Sequence, residues 1–150
     1  MKNAFKLCGF AVLACVALGG CMADKKPAQA AAPATLSPPN LTGTQWSLED
    51  LAGKPVIASS RATLTFPEDG RVAGNGSCNR FTGSVDVNAN TIKFGPLAAT
   101  RMMCDADSSH QESEYLKALA GAEKYEVEKR LTLYLYVHGL DKPLRFRAVL

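Results

Sequence analysis

The chain has 150 residues, 47% of them hydrophobic and 21% charged, with a formal net charge of +3 and five cysteines. Without Lys2, Lys6, Lys25, Lys26 and Asp24, the sequence from Leu41 onward carries 13 basic and 13 acidic side chains, so the positive balance belongs to the front of the chain. A neutral domain has no general electrostatic attraction for nucleic acid, which excludes that class of partner as an expectation.

The first element is a leader. MKNAFKLCGFAVLACVALGGC begins with two lysines and continues with an apolar run from Leu7 to Leu18. A spanning helix needs roughly 20 apolar residues, so this run is short for an anchor and has the length of a signal-peptide core. Gly19 and Gly20 give a peptidase two small residues before Cys21, and LGGC resembles a bacterial lipobox. The reading is a lipoprotein signal peptide at 1–20 with lipid attached to Cys21; the plainer alternative is an ordinary secretory signal. Each buried methylene of an acyl chain contributes about 0.8 kcal/mol, so several chains on one cysteine hold firmly. Met22 replaces the aspartate that resembles an inner-membrane retention signal, so the expected address is the outer membrane, with the domain in the periplasm.

Residues 21–40 then form the lipidated N-terminus and an Ala/Pro-rich tether, MADKKPAQAAAPATLSPPN after the cysteine. Such a segment has too little apolar surface to offset its ordering entropy. The remaining stretch, 41–150, is the size of one domain.

Within it, period-2 patterns dominate. Trp46 to Ala58 reads as two short strands around an Ala-Gly turn. In RATLTF, Ala62, Leu64 and Phe66 share a face, and PEDG turns the chain back into RVAGNG. Gly74, Gly76 and Gly83 suit bulges or close backbone approach in a bent sheet. Ile92 and Phe94 share a face in TIKF; RLTLYLYV aligns Leu131, Leu133, Leu135 and Val137; HGLDKP turns; PLRFRAVL aligns Leu144, Phe146 and Ala148. Ser108 to Ala122 alone reads as a helix, with Ser109 and Glu112 as a capping box and Tyr115, Leu116, Leu119 and Ala122 as its apolar stripe. That stripe suits a helix lying against a sheet or plugging the end of a barrel.

Cysteine usage follows from the leader. Cys8 and Cys15 depart with it and lipid consumes Cys21, which leaves Cys78 and Cys104 in an oxidising compartment. A disulfide between them is the expected state, and two free thiols are the alternative. Catalytic readings find little support. GNGSCN lacks the second glycine of a nucleophile elbow, and the two histidines, His110 and His138, fall in a helix turn and a loop. Cys78, Cys104, Asp105, Asp107 and His110 lack the paired spacing of a zinc site and the length of a calcium loop. Met102 and Met103, being adjacent, point to opposite faces of an extended chain and cannot both serve one copper site. The glycine-rich run has no lysine to complete a phosphate loop. No cofactor and no metal ligand is therefore expected.

Five stretches now stand in order: LTGTQWSLEDLAGKPV, GNGSCNRFTG, IKFGPLAATRMMC, EYLKALAGAEKYEVE and LTLY. Together they resemble the META domain of the heat-inducible HslJ-type lipoproteins, across Leu41 to Leu150. Val85, where an aromatic is common, and the irregular HGLDKP turn are the departures. The resemblance implies an α+β domain: a small distorted or incompletely closed antiparallel β-barrel with one helix packed against it. It also implies kinship with small lipoproteins that pilot secretins, hence a role in envelope stress, antibiotic resistance or secretion. The family pattern assigns no catalytic residue. The expected function is a non-enzymatic module that binds an envelope protein; the alternative is a carrier of a small apolar ligand or lipid.

Overall fold

The computed structural model describes residues 40–150. The leader at 1–20, the lipidation site Cys21 and the tether up to residue 39 lie outside the described residues. From Thr44 the alternating sequence folds as β1 (Thr44–Leu51), β2 (Lys54–Pro55), β3 (Thr63–Phe66), β4 (Arg71–Asn75), β5 (Arg80–Asn88) and β6 (Thr91–Ala99). The helix α1 (Ala106–Ala120) follows, then β7 (Ala122–Glu128), β8 (Thr132–Val137) and β9 (Leu144–Ala148).

Every strand pairs antiparallel, in the order β1-β3-β4-β5-β6-β7-β8-β9, and β9 returns to β1. Trp46 faces Ala148 and Leu48 faces Phe146 across that last seam. The eight strands make a closed barrel, which corrects the expectation of incomplete closure. The α+β class stands. Closure pairs the first strand with the last and so removes two exposed edges, each of which would present unpaired backbone groups. The thinnest seam joins β6 to β7 through Thr91 and Lys124, with Tyr125 N–H donating to the Asn90 carbonyl at 2.9 Å. The chain between these two strands is α1, which packs beside β6. Short β2 pairs only with Asp50 and Leu51 at the end of β1, across a turn formed by Ala52 and Gly53 at φ 56° and 91°.

The inward faces are those the alternation marks. Leu64 and Phe66 of β3, Val72 of β4, Leu133 and Leu135 of β8, and Leu144 and Phe146 of β9 are all buried. Leu131 departs from its expected face: it lies in the β7–β8 turn and is 51% exposed. Register shifts at Leu48/Asp50, Gly83/Val85 and Ala122/Lys124 bend the sheet so that it closes.

Helix α1 covers one mouth of this barrel and sends Tyr115 inside. The ring of Tyr115 lies 6.0 Å from that of Phe81 on β5 and 6.1 Å from that of Phe146 on β9. Its hydroxyl donates to the Thr63 carbonyl at 3.1 Å, so one side chain touches three strands. The buried stripe runs Ser108, Gln111, Tyr115, Ala118 and Leu119, polar in its first half and apolar in its second. The helix begins two residues earlier than expected, because Asp105 is the cap and accepts from Ser108 N–H at 2.8 Å. Ser109 sits in the first turn and Glu112 points elsewhere, so the expected capping box does not form. At the far end Gly121 N–H reaches the Ala118 and Leu119 carbonyls, and Ala122 opens β7 instead of extending the helix.

At the opposite mouth, Leu41 is buried and Gly43 N–H donates to the Phe66 carbonyl at 2.7 Å. Helix α1 bonds near the other end of β3, at Ser60 and Thr63. The chain thus enters the barrel at the mouth away from the helix.

Candidate functional site

The polar run Gly76 to Asn79 lies between β4 and β5, beside the first turns of α1. Gly74 and Gly76 sit where atoms of other residues occupy the space a side chain would need. A Cβ on Gly74 would meet the Thr63 carbonyl and the Phe81 ring, the latter at 2.7 Å. One on Gly76 would meet Glu112 Cγ at 2.6 Å. This close approach lets the helix carboxylate enter the loop.

Once inside, Glu112 is the acceptor for the loop. Its Oε2 takes Asn79 N–H at 2.6 Å and Cys78 N–H at 3.3 Å, and its Oε1 takes the Asn79 side-chain amide at 2.8 Å. Asn79 is buried and passes the connection onward: its Oδ1 accepts from Met102 N–H at 2.7 Å and Thr100 hydroxyl at 2.9 Å. The segment before the helix is thereby bound to the loop by polar contacts. Cys78 and Cys104 add a covalent link between the same two segments, with Cα atoms 6.2 Å apart. The neighbouring Gln111 is also buried and spent: its Oε1 accepts from Ile57 N–H at 2.8 Å, and its amide donates to the hydroxyls of Ser60 and Ser77.

Each chemical role weighed for these residues meets a specific obstacle. Ser77 has φ 119°, a strained value for a residue with a side chain, and its backbone N–H donates to Asn75 Oδ1 at 2.8 Å. Its hydroxyl faces Ser60 and the Gln111 amide, neither of which is a base that activates a nucleophile. The two histidines lie elsewhere, each exposed and beside a glutamate: His110 with Glu114 at 3.7 Å, His138 with Glu123 at 3.2 Å. Of the metal-ligand candidates, Cys78 and Cys104 are bonded to each other and Asp105 caps the helix. Among the described residues no three His, Cys, Asp or Glu side chains converge as a metal would require. Met103 is fully exposed and Met102 largely so.

Electrostatics mark the ends of this arrangement. The Ser108 backbone N–H holds the Asp105 carboxyl below its ordinary range, with the Ser108 hydroxyl adding to the effect. Burial pushes the Tyr115 phenol well above its ordinary value, and raises Tyr125 and Tyr136 less strongly.

Two clefts open to the surface of the barrel. A cleft of about 410 Å³ at the chain-entry mouth is lined by Leu41, Phe66, Val85 and Tyr125 with Glu68, Asp69 and Asp86 at its rim. A second, of about 490 Å³, lies at the helix mouth between Leu51, Ala118, Val137 and Leu140. The residues sequence reasoning missed are Gln111 and Glu112 as loop-binding groups. Their only trace in the sequence was a buried-stripe position occupied by glutamine and a glutamate next to it.

Comparison with known proteins gives a consistent answer. The family model for the META domain matches residues 39–148. An NMR structure of a protein from Burkholderia xenovorans is similar at 24% identity and TM-score 0.61, covering 85% of this chain and 99% of that one. Another NMR structure is similar at 24% identity and TM-score 0.58, covering 71% and 90%. The crystal structure of a DUF4847-family protein from Bacteroides vulgatus is similar at 16% identity and TM-score 0.53, covering 71% and 93%. At these identities the likeness is one of fold. No curated protein matches the chain.

Proposed function

The chain belongs to the META-domain family, and from that premise we propose that it is a non-enzymatic lipoprotein whose barrel presents a binding surface to another protein of the cell envelope. One observation carries this reading. The motif with the greatest chemical potential, Gly76 to Asn79, is wholly engaged in holding its own loop to α1, and Tyr115 fills the space behind it. Work done by such a domain falls to its outer surface.

The N-terminal pattern supplies the address. Lipid on Cys21 holds the protein to the outer membrane, the Ala/Pro-rich stretch up to residue 40 is the tether, and the domain works in the periplasm. The process proposed for it is envelope stress tolerance, antibiotic resistance or secretion, a reading that the resemblance to HslJ-type lipoproteins supports. A lipid-carrier role finds less support: ten large side chains, from Tyr115 to Val72, are fully buried within the domain, so an apolar ligand is left with open surface clefts.

Two experiments test the reading separately. Cys21→Ala should move the protein from membrane to soluble fractions, and unchanged membrane association would refute the anchor. Crosslinking in intact cells, followed by affinity capture of the full chain, should recover one envelope protein reproducibly. Recovery of none from any exposed face would refute the binding role.

A further inference from the structure

The outer face of β7, β8 and β9 carries its charges in columns. The outward residues are Lys124, Glu126 and Glu128 on β7, Thr132, Tyr134 and Tyr136 on β8, and Arg145 and Arg147 on β9. Register sets their heights: Glu126 and Arg145 both stand opposite Tyr134, and Glu128 and Arg147 both stand opposite Thr132. An acidic and a basic column thus flank an aromatic one, row by row. Lys124 lies one row further, beside Tyr136, where β9 has not yet begun. The hydroxyls of Tyr136 and Tyr134 donate to Glu126 at 3.1 Å and Glu128 at 3.5 Å, which orients the carboxylates without neutralising them. Lys129 reaches Glu128 at 3.9 Å; on the basic side Glu49 takes the Nε groups of both arginines, and Asp50 stands opposite Arg145. Arg130 belongs to the cleft it lines with Leu41 and Trp46. Cations and anions therefore balance across the face, which gives it no net attraction for a polyanion or an acidic membrane surface.

What such a face does fit is a second copy of itself. We propose that two chains pair through it, on a two-fold axis running along β8. Rotation about that axis lays β7 of each copy over β9 of the other and leaves every height unchanged. Glu126 then meets Arg145 of the second copy and Glu128 meets its Arg147, each contact made twice, while Tyr134 meets its own counterpart on the axis. Tyr136, 41% exposed, adds apolar area, and tyrosine and arginine are the side chains that most often anchor interfaces. The outside of a barrel is convex, so two copies touch along about three strands at a spacing of about 4.8 Å. The contact is smaller than the roughly 800 Å² per partner of a standard interface, and the pair is weak. This pairing is independent of the envelope-protein reading and neither requires nor replaces it.

The test uses the full chain carrying Cys21→Ala. Sedimentation velocity should show a monomer at about 10 μM and a growing dimer fraction towards about 1 mM, with a Kd of about 0.5 mM. Over the same dilution, amide NMR shifts should move in β7, β8 and β9 and stay fixed in β4 and β5. Glu126→Lys/Glu128→Lys should weaken self-association about tenfold or more, and so should Arg145→Glu/Arg147→Glu. An equimolar mixture of the two variants should pair at least as well as the parent, because each altered column again faces its opposite. Thermal melting checks that both variants fold; if the arginine variant, which strips Glu49 of its partners, does not, the dilution shifts of the parent decide. A parent that stays monomeric at the highest concentration, or whose shifts fall on another face, overturns the proposal. Folded variants that associate like the parent, or that fail to pair with each other, overturn it as well. None of these results bears on the envelope-protein reading, which in-cell capture tests.

Discussion

Glu112 accepts hydrogen bonds from Cys78 N–H, Asn79 N–H and the Asn79 side chain. Hydrogen bonds to a charged acceptor are worth about 1.5–3 kcal/mol each, with losses that are not additive. Glu112→Ala should therefore destabilise the domain by about 3 kcal/mol in urea unfolding, and Glu112→Gln by less. Gly76→Ala should also destabilise, since its Cβ must displace that carboxylate. In the Glu112→Ala background most of this second effect should vanish, which a double-mutant cycle measures directly. The pH dependence follows from the shifted groups, Asp105 and Tyr115 foremost among them. Asp105 is held low, so its charge adds stability above about pH 4 that fades as pH falls through its folded value. Asp105→Asn, which keeps a capping acceptor, should differ from the parent at neutral pH and converge with it in strong acid. Tyr115 is raised, so its burial favours folding fully below about pH 10 and progressively less above it. Tyr115→Phe should lose about 1 kcal/mol at neutral pH with the Thr63 hydrogen bond, and should decline less steeply in alkali. The pairing of Cys78 with Cys104 was legible from the cysteine count, once the N-terminal pattern was read as a signal that takes up the other three. The part played by Glu112 was not, because a partner 33 positions away leaves no local pattern.

Elements divide the same way. Strands whose faces alternate cleanly, such as Ala62, Leu64 and Phe66, could be read directly, since one buried side of a sheet demands that period. The β7–β8 hairpin could not. Its turn is Lys129–Arg130 at φ 51° and 59°, left-handed values that glycine or asparagine would normally announce. With no such signal, the alternation alone starts the strand early and turns Leu131 inward, whereas it lies exposed in the turn. Lys129→Asn with Arg130→Gly should relieve that strain and stabilise the domain by about 1 kcal/mol, visible as a higher melting temperature. The clasp between the β4–β5 loop and the segment before α1 has both a covalent and a polar half. The disulfide joins residues 26 apart, and removing it with Cys78→Ser/Cys104→Ser should cost about 3 kcal/mol in the chain-entropy account. The bonds from Asn79 to Thr100 and Met102 span the same gap, so the reduced domain should keep its fold under mild conditions.

For the whole molecule, α1 plugs one mouth, Leu41 covers the other, and β9 seals the sheet against β1. Closure is a pairing between strands at the two ends of the domain, about 100 residues apart along the chain. Alternation within a strand shows which side is buried but says nothing of which distant strand lies beside it, so the sequence left the barrel open. The consequence is that Tyr115, Phe146 and the other large core side chains occupy the inside of the barrel, as their full burial shows. Native mass spectrometry of the full chain with Cys21→Ala, purified without detergent, tests this most directly. The filled barrel predicts a single species at the mass of the polypeptide with its disulfide intact. A stoichiometric apolar ligand that stays bound through purification would contradict it.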